Sequence, residues 1–136
     1  MSFSHLREDF PTLCGDNAPA YLDNACVTLK PKQVIEAISD YYGKYPGCGG
    51  RSVHRYGTKV SKLVQESRNS ISKFINSNSP SEVVFTSNAT SSLNQISKGL
   101  SWEKGDIILT GDREHNSNLV PWLQLQEEQG VEHRVV

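Results

Sequence analysis

The chain has 136 residues, a net charge of −1 and a hydrophobic share of 36%. That length suits one compact domain, and basic residues scattered among acids speak against a nucleic-acid surface. No run approaches the ~18 apolar residues of a membrane span, and residues 1–10 lack the apolar middle of a secretory signal, so a cytoplasmic protein outside any membrane is expected.

Residues 1–20 read as an irregular arm broken by Pro11, Gly15 and Pro19. Residues 21–25 form a short extended piece ending in turn-formers. Pro31 suits the first turn of a helix, and Val34, Ile35, Ile38, Tyr41 and Tyr42 continue it at helical spacing until Gly43 and Pro46. Residues 46–55 are too glycine-rich for a regular element. They form a loop of the kind that lets backbone approach a ligand.

A longer helix is expected over about 58–75, with Val60, Leu63, Val64, Ile71, Phe74 and Ile75 on one face. Residues 76–80 are a polar break. Val83 to Thr86 read as a short buried strand. A helix then carries Leu93, Ile96 and Leu100, and residues 106–110 form a second strand. A final helix over about 117–129 tolerates Pro121 only in its first turn. Gly130 ends it, and a third strand begins at Val131. Strand–helix–strand–helix–strand predicts an α/β fold, an open sheet with crossover helices. Nothing follows the third strand to cover it, so an incomplete sheet with an exposed edge is expected.

Three places carry candidate chemistry. The first is the turn from the strand at 83–86 into the following helix. A helix start presents free N–H groups and the positive end of its dipole, which together bind phosphate. Ala89 and Thr90 can offer backbone amides there, and Thr90 a hydroxyl. Ser87 or Thr90 acting simply as an N-cap is the alternative. The second is His115, after the strand at 106–110. Ligands of open α/β sheets sit at the carboxyl ends of strands, where a flat imidazole can stack on an aromatic ligand and handle a proton. A surface histidine near a helix start is the alternative. The third is the loop holding Arg51, His54 and Arg55, which can meet a carboxylate or phosphate or merely be solvated. Cys14, Cys26 and Cys48 are odd in number, which argues against a disulfide framework. Even with His54 they lack the paired short steps of zinc motifs, so reduced thiols and no metal are expected.

Longer stretches carry a resemblance. Tyr21-Leu22-Asp23-Asn24-Ala25, Ser52-Val53-His54-Arg55, Val84-Phe85-Thr86 leading to Ala89-Thr90 and Leu93-Asn94, and Glu114-His115-Asn116-Ser117-Asn118 with Val120-Pro121-Trp122 stand in one order. In that order the chain resembles the class V aminotransferase family of fold type I, and within it the cysteine desulfurases and selenocysteine lyases. The resemblance runs from about Tyr21 to Val136. It implies the N-terminal part of the large domain of a transferase dependent on pyridoxal 5'-phosphate, after an arm at 1–20. It implies that Ala89 and Thr90 hold the cofactor phosphate, that His115 stacks on the pyridine ring as a catalytic residue, and that Ala25, His54 and Arg55 border the substrate.

Departures from the family pattern are Ser91, where an acid is usual after the phosphate threonine, and Asn116, where a second histidine is common. The family's cofactor-binding lysine, the aspartate on the pyridinium nitrogen and the sulfur-accepting cysteine all lie beyond Val136 in the family pattern. The resemblance therefore implies a cysteine desulfurase-like segment that supplies the phosphate cradle and the stacking ring and is inactive alone. The complete enzyme would take sulfur from L-cysteine or selenium from selenocysteine, leave alanine, serve iron–sulfur cluster assembly and form a homodimer. A complementing C-terminal chain would supply the rest. Another class V enzyme, an aminotransferase or a kynureninase-like hydrolase, is the second reading. A non-catalytic remnant that binds a partner is the third.

Overall fold

Apolar spacing sets the longest elements of the computed structural model, which describes residues 4–136. The chain divides into two compact units, residues 1–80 and 81–136. The division falls at the end of the polar break at 76–80.

The first unit is helical. Two short 3-10 turns, Ser4–Asp9 and Pro11–Leu13, occupy the expected irregular arm. Asp9 ties this arm to the next helix by accepting from Gln33 Nε2 at 2.8 Å and pairing with Lys32 at 3.4 Å. These contacts hold the Asp9 carboxyl below its ordinary range, the Gln33 bond contributing most. Helix α1 spans Lys32–Lys44, with Pro31 just before its first turn. Helix α2 spans Arg55–Phe74 and starts three residues earlier than apolar spacing suggests. Its N-cap is His54, whose Nδ1 accepts from the Gly57 N–H at 3.4 Å.

The glycine-rich loop is built to lie against the start of α2. A side chain at Gly57 would meet the Ser52 carbonyl oxygen at 2.6 Å and the Cys48 carbonyl oxygen at 3.0 Å. Ser61 Oγ closes the contact, accepting from the Gly50 N–H and donating to the Gly57 carbonyl, each at 2.8 Å. Only glycine permits that approach.

The second unit holds the sheet. Val83 to Thr86 form no strand, which corrects the sequence expectation. A strand needs a ladder, and the described two-stranded sheet is formed by residues 107–110 and 132–135. Helix α3 spans Ala89–Gly99, strand β1 Ile107–Thr110, helix α4 Val120–Gln129 and strand β2 Glu132–Val135. The strands pair in parallel, from Ile107 opposite Glu132 to Thr110 opposite Val135, with α4 as the crossover. A 3-10 turn, Asn116–Asn118, replaces the first turn of the expected helix. Pro121 has no N–H to donate, so the α-helical ladder starts around it. Gly130 stops α4 in the left-handed conformation at φ 71°.

Ile108, Trp122, Leu125 and Val131 form the core of this unit, with Leu93 and Trp102 packed against it. The two indoles meet edge to face at 6.2 Å between ring centres. Ile107 and Leu109, alternating with the buried Ile108 and Thr110, leave the other sheet face exposed. With so few buried side chains, each matters. Trp122 is 7% exposed, and Trp122→Ala should cost roughly 3–5 kcal/mol. Urea unfolding followed by circular dichroism would read this as a midpoint far below that of the unaltered chain. An unchanged midpoint would mean that Trp122 does not hold the unit together.

Candidate functional site

Two helix starts and one strand end converge in the second unit. Asn88 precedes α3 in extended backbone, and its Oδ1 accepts from the Ser91 N–H at 2.8 Å. Asn88 is therefore the N-cap, and neither Ser87 nor Thr90 has that role. The cap consumes the amide of the third helical residue and leaves the amides of Ala89 and Thr90 outside it. The Thr90 hydroxyl stands beside them. Three donors at the positive end of an eleven-residue helix are a suitable donor set for a phosphate.

The loop after β1 carries His115. The Glu114 carboxylate spans this loop. It accepts from the Gly111 N–H at 3.3 Å and from Asn118 Nδ2 at 2.8 Å. Asn118 Oδ1 in turn accepts from the Trp122 indole N–H at 3.0 Å. The chain Glu114–Asn118–Trp122 thus ties the exposed loop to the buried core at the spacing of one helical turn. The sequence motif holds these residues but does not by itself assign the relay. The four-residue steps were its signal.

His115 sits between these anchors. Its Nδ1 accepts from the Ser117 N–H at 3.1 Å and lies 2.9 Å from Ser117 Oγ. Thr90 and Asn94 from α3, His115 and Ser117 from the loop, and Pro121 and Gln124 from α4 line one open cavity of about 290 Å³. Thr90 and His115 thus face a common space at the carboxyl end of β1. The lining holds no lysine or arginine. Within this unit Lys98 lines a different depression, with Ser91 and Gln95, and Lys104 packs beside Gly130. A dianion at the α3 start would meet the two amides, the Thr90 hydroxyl and the helix dipole.

Ala25, His54 and Arg55 belong to the first unit. Ala25 lies exposed in the turn 24–26, and Arg55 opens α2 with its side chain in solvent. His54 caps that helix through Nδ1 and meets the Tyr56 ring edge on at 6.3 Å. Cys14, Cys26 and Cys48 are free thiols, all exposed. No group of three metal-ligating side chains occurs among the described residues, and no described helix is long and apolar enough to cross a membrane.

The aminotransferase class-V family profile matches residues 20–136. The chain belongs to that family. A probable cysteine desulfurase of Streptomyces coelicolor is 36% identical, aligning 95% of this chain with 34% of its own length. The apo structure of a cysteine desulfurase from Thermococcus onnurineus superposes with a TM-score of 0.84 at 36% identity, covering 97% of this chain and 32% of that one. A C-DES variant with glycine covalently linked to its PLP cofactor shares the fold at a TM-score of 0.64 and 24% identity, over 79% of this chain and 27% of that one. The chain spans about a third of the length of the curated relatives it matches.

Proposed function

We propose that this class V chain forms the phosphate cradle and ring-stacking wall of a pyridoxal phosphate enzyme that removes sulfur from L-cysteine. The observation that carries the reading is the shared cavity of Thr90, at the start of α3, and the flat imidazole of His115. Both features suit the cofactor: a phosphate is held by hydrogen-bond donors at a helix start, and a pyridine ring stacks on a planar neighbour. The similarity to cysteine desulfurases favours cysteine over the substrates of other class V enzymes.

Pyridoxal phosphate, when bound, supplies an electron sink and an aldehyde that condenses with an amine. The chain's residues do the rest of what falls to this segment. Ala89 and Thr90 bind the phosphate. His115 covers one face of the ring and keeps a proton within reach of it. The Glu114–Asn118–Trp122 relay keeps the His115 loop in place. Ala25, His54 and Arg55 border the substrate, with Arg55 suited to its carboxylate. A lysine that binds the cofactor covalently and a thiolate that accepts sulfur are supplied by the polypeptide that completes the fold. The finished enzyme is a homodimer in the cytoplasm that feeds iron–sulfur cluster assembly.

The test compares the 136-residue chain alone with the chain mixed with, or fused to, the remaining two-thirds of a desulfurase fold. Sulfide and alanine are assayed with pyridoxal phosphate and L-cysteine. No lysine lines the cavity, so the chain alone should add nothing to the rate of free cofactor, and turnover should appear on completion. Turnover by the chain alone would overturn the assignment of roles. Silence of the completed protein towards cysteine, with activity towards another amino acid, would move it to another class V reaction.

A further inference from the structure

The contacts of His115 go beyond placing a ring beside a cofactor. Neutral imidazole has one donor nitrogen and one acceptor nitrogen. Nδ1 lies 3.1 Å from the Ser117 backbone nitrogen and 2.9 Å from the Ser117 hydroxyl oxygen. The hydroxyl can rotate and serve as donor or acceptor. The amide can only donate. It therefore requires a lone pair on Nδ1 and leaves the proton of the neutral ring on Nε2.

We infer that Ser117 is a positioning residue for His115: its backbone amide selects the Nε2–H tautomer and closes Nδ1, so any proton His115 exchanges with a bound ligand passes through Nε2. The inference rests on the reading of His115 as the residue beside the cofactor ring. The mechanism by which one nitrogen is fixed through a bond at the other is general for functional histidines. Here the fixing partner is an amide two residues along the same turn, held in place by the 3-10 turn Asn116–Asn118. No carboxylate is needed for it, and the Glu114 carboxylate is already engaged by Gly111 and Asn118.

The experiment reads the ring nitrogens directly. The chain is labelled with ¹⁵N-histidine, and the Nδ1 and Nε2 shifts of His115 are measured at about pH 9, above the usual histidine range. The folded chain is compared with the same chain in urea. A neutral hydrogen bond shifts a two-state ratio by roughly fivefold, so the Nε2–H form should gain about that much on folding. An unchanged or reversed ratio would overturn the inference.

Two variants separate amide from hydroxyl. Ser117→Ala keeps the amide and should keep the folded ratio. Ser117→Pro removes it and should return His115 to the urea ratio. A Ser117→Pro chain that stays folded and retains the bias would show that the amide is not the selector. The His133 ring, bonded to Thr110 Oγ1 at 2.8 Å, reports on folding in the same spectrum. If this variant unfolds, the comparison of folded and urea-treated unaltered chain decides. The cofactor reading fails separately: His115→Ala with unchanged cofactor absorption and affinity would remove the ring from the cofactor site and leave the tautomer result standing.

Discussion

Thr90→Val in the completed enzyme should weaken pyridoxal phosphate binding by about ten- to a hundredfold. The reason is a single hydroxyl. A hydrogen bond from it to a phosphate oxygen is charge-assisted and worth roughly 1.5–3 kcal/mol. Valine has nearly the same shape, so the loss is one of bonding and not of packing. The helix itself should be unaffected, because the residue that caps it is Asn88 and the capped amide belongs to Ser91. Titration with the cofactor, followed by its absorption, measures the change, and far-ultraviolet circular dichroism checks that α3 survives. An affinity unchanged by the substitution would remove Thr90 from the cradle and leave it an ordinary first-turn residue.

His115→Ala should have the larger effect on rate. Proton transfer by a positioned side chain typically contributes ~10²–10⁴-fold, and kcat for cysteine should fall by about that range. Cofactor affinity should fall much less, because the donors proposed to hold the phosphate at α3 are untouched. This split distinguishes a working ring from a structural one. Loss of a cap on the 3-10 turn would loosen binding and turnover together. Steady-state kinetics of the completed enzyme, run beside the same cofactor titration, give both numbers. A variant that lost affinity with kcat preserved would show His115 to be a wall and nothing more.

Much of this arrangement is legible in the residues. The spacing of Val34, Ile38 and Tyr41 marks α1, and Val60, Leu63, Val64 and Ile71 mark α2. Pro31 and Gly130 stand at helix ends because one has a preset φ and no amide to donate, while the other accepts the left-handed conformation. The motif around His115 reads as a loop at the carboxyl end of a strand, which is where it lies. Those features depend on neighbours within a turn or two, and local sequence carries that information.

The strand at Val83 to Thr86 shows where such reasoning stops. The residue types favour a strand, and residues 83–86 form no regular element. A strand, however, is defined by hydrogen bonds to another segment, and composition says nothing of whether that segment is present. The cap of α3 is a similar case. Ser87, Asn88 and Thr90 are all competent cap residues, and only the path of the chain into the helix decides that Asn88 faces the open amide.

Local pattern in the residues carries the helices, the two strands on either side of α4 and the candidate residues Ala89, Thr90 and His115. Only the packing of the unit brings Thr90 and His115 to one cavity, whereas the Glu114–Asn118–Trp122 steps and the Ser117 contact of His115 are local. The physical reason is range: helices and turns answer to contacts a few residues away, whereas α3 and the His115 loop meet only because the core of Ile108, Trp122, Leu125 and Val131 packs them together.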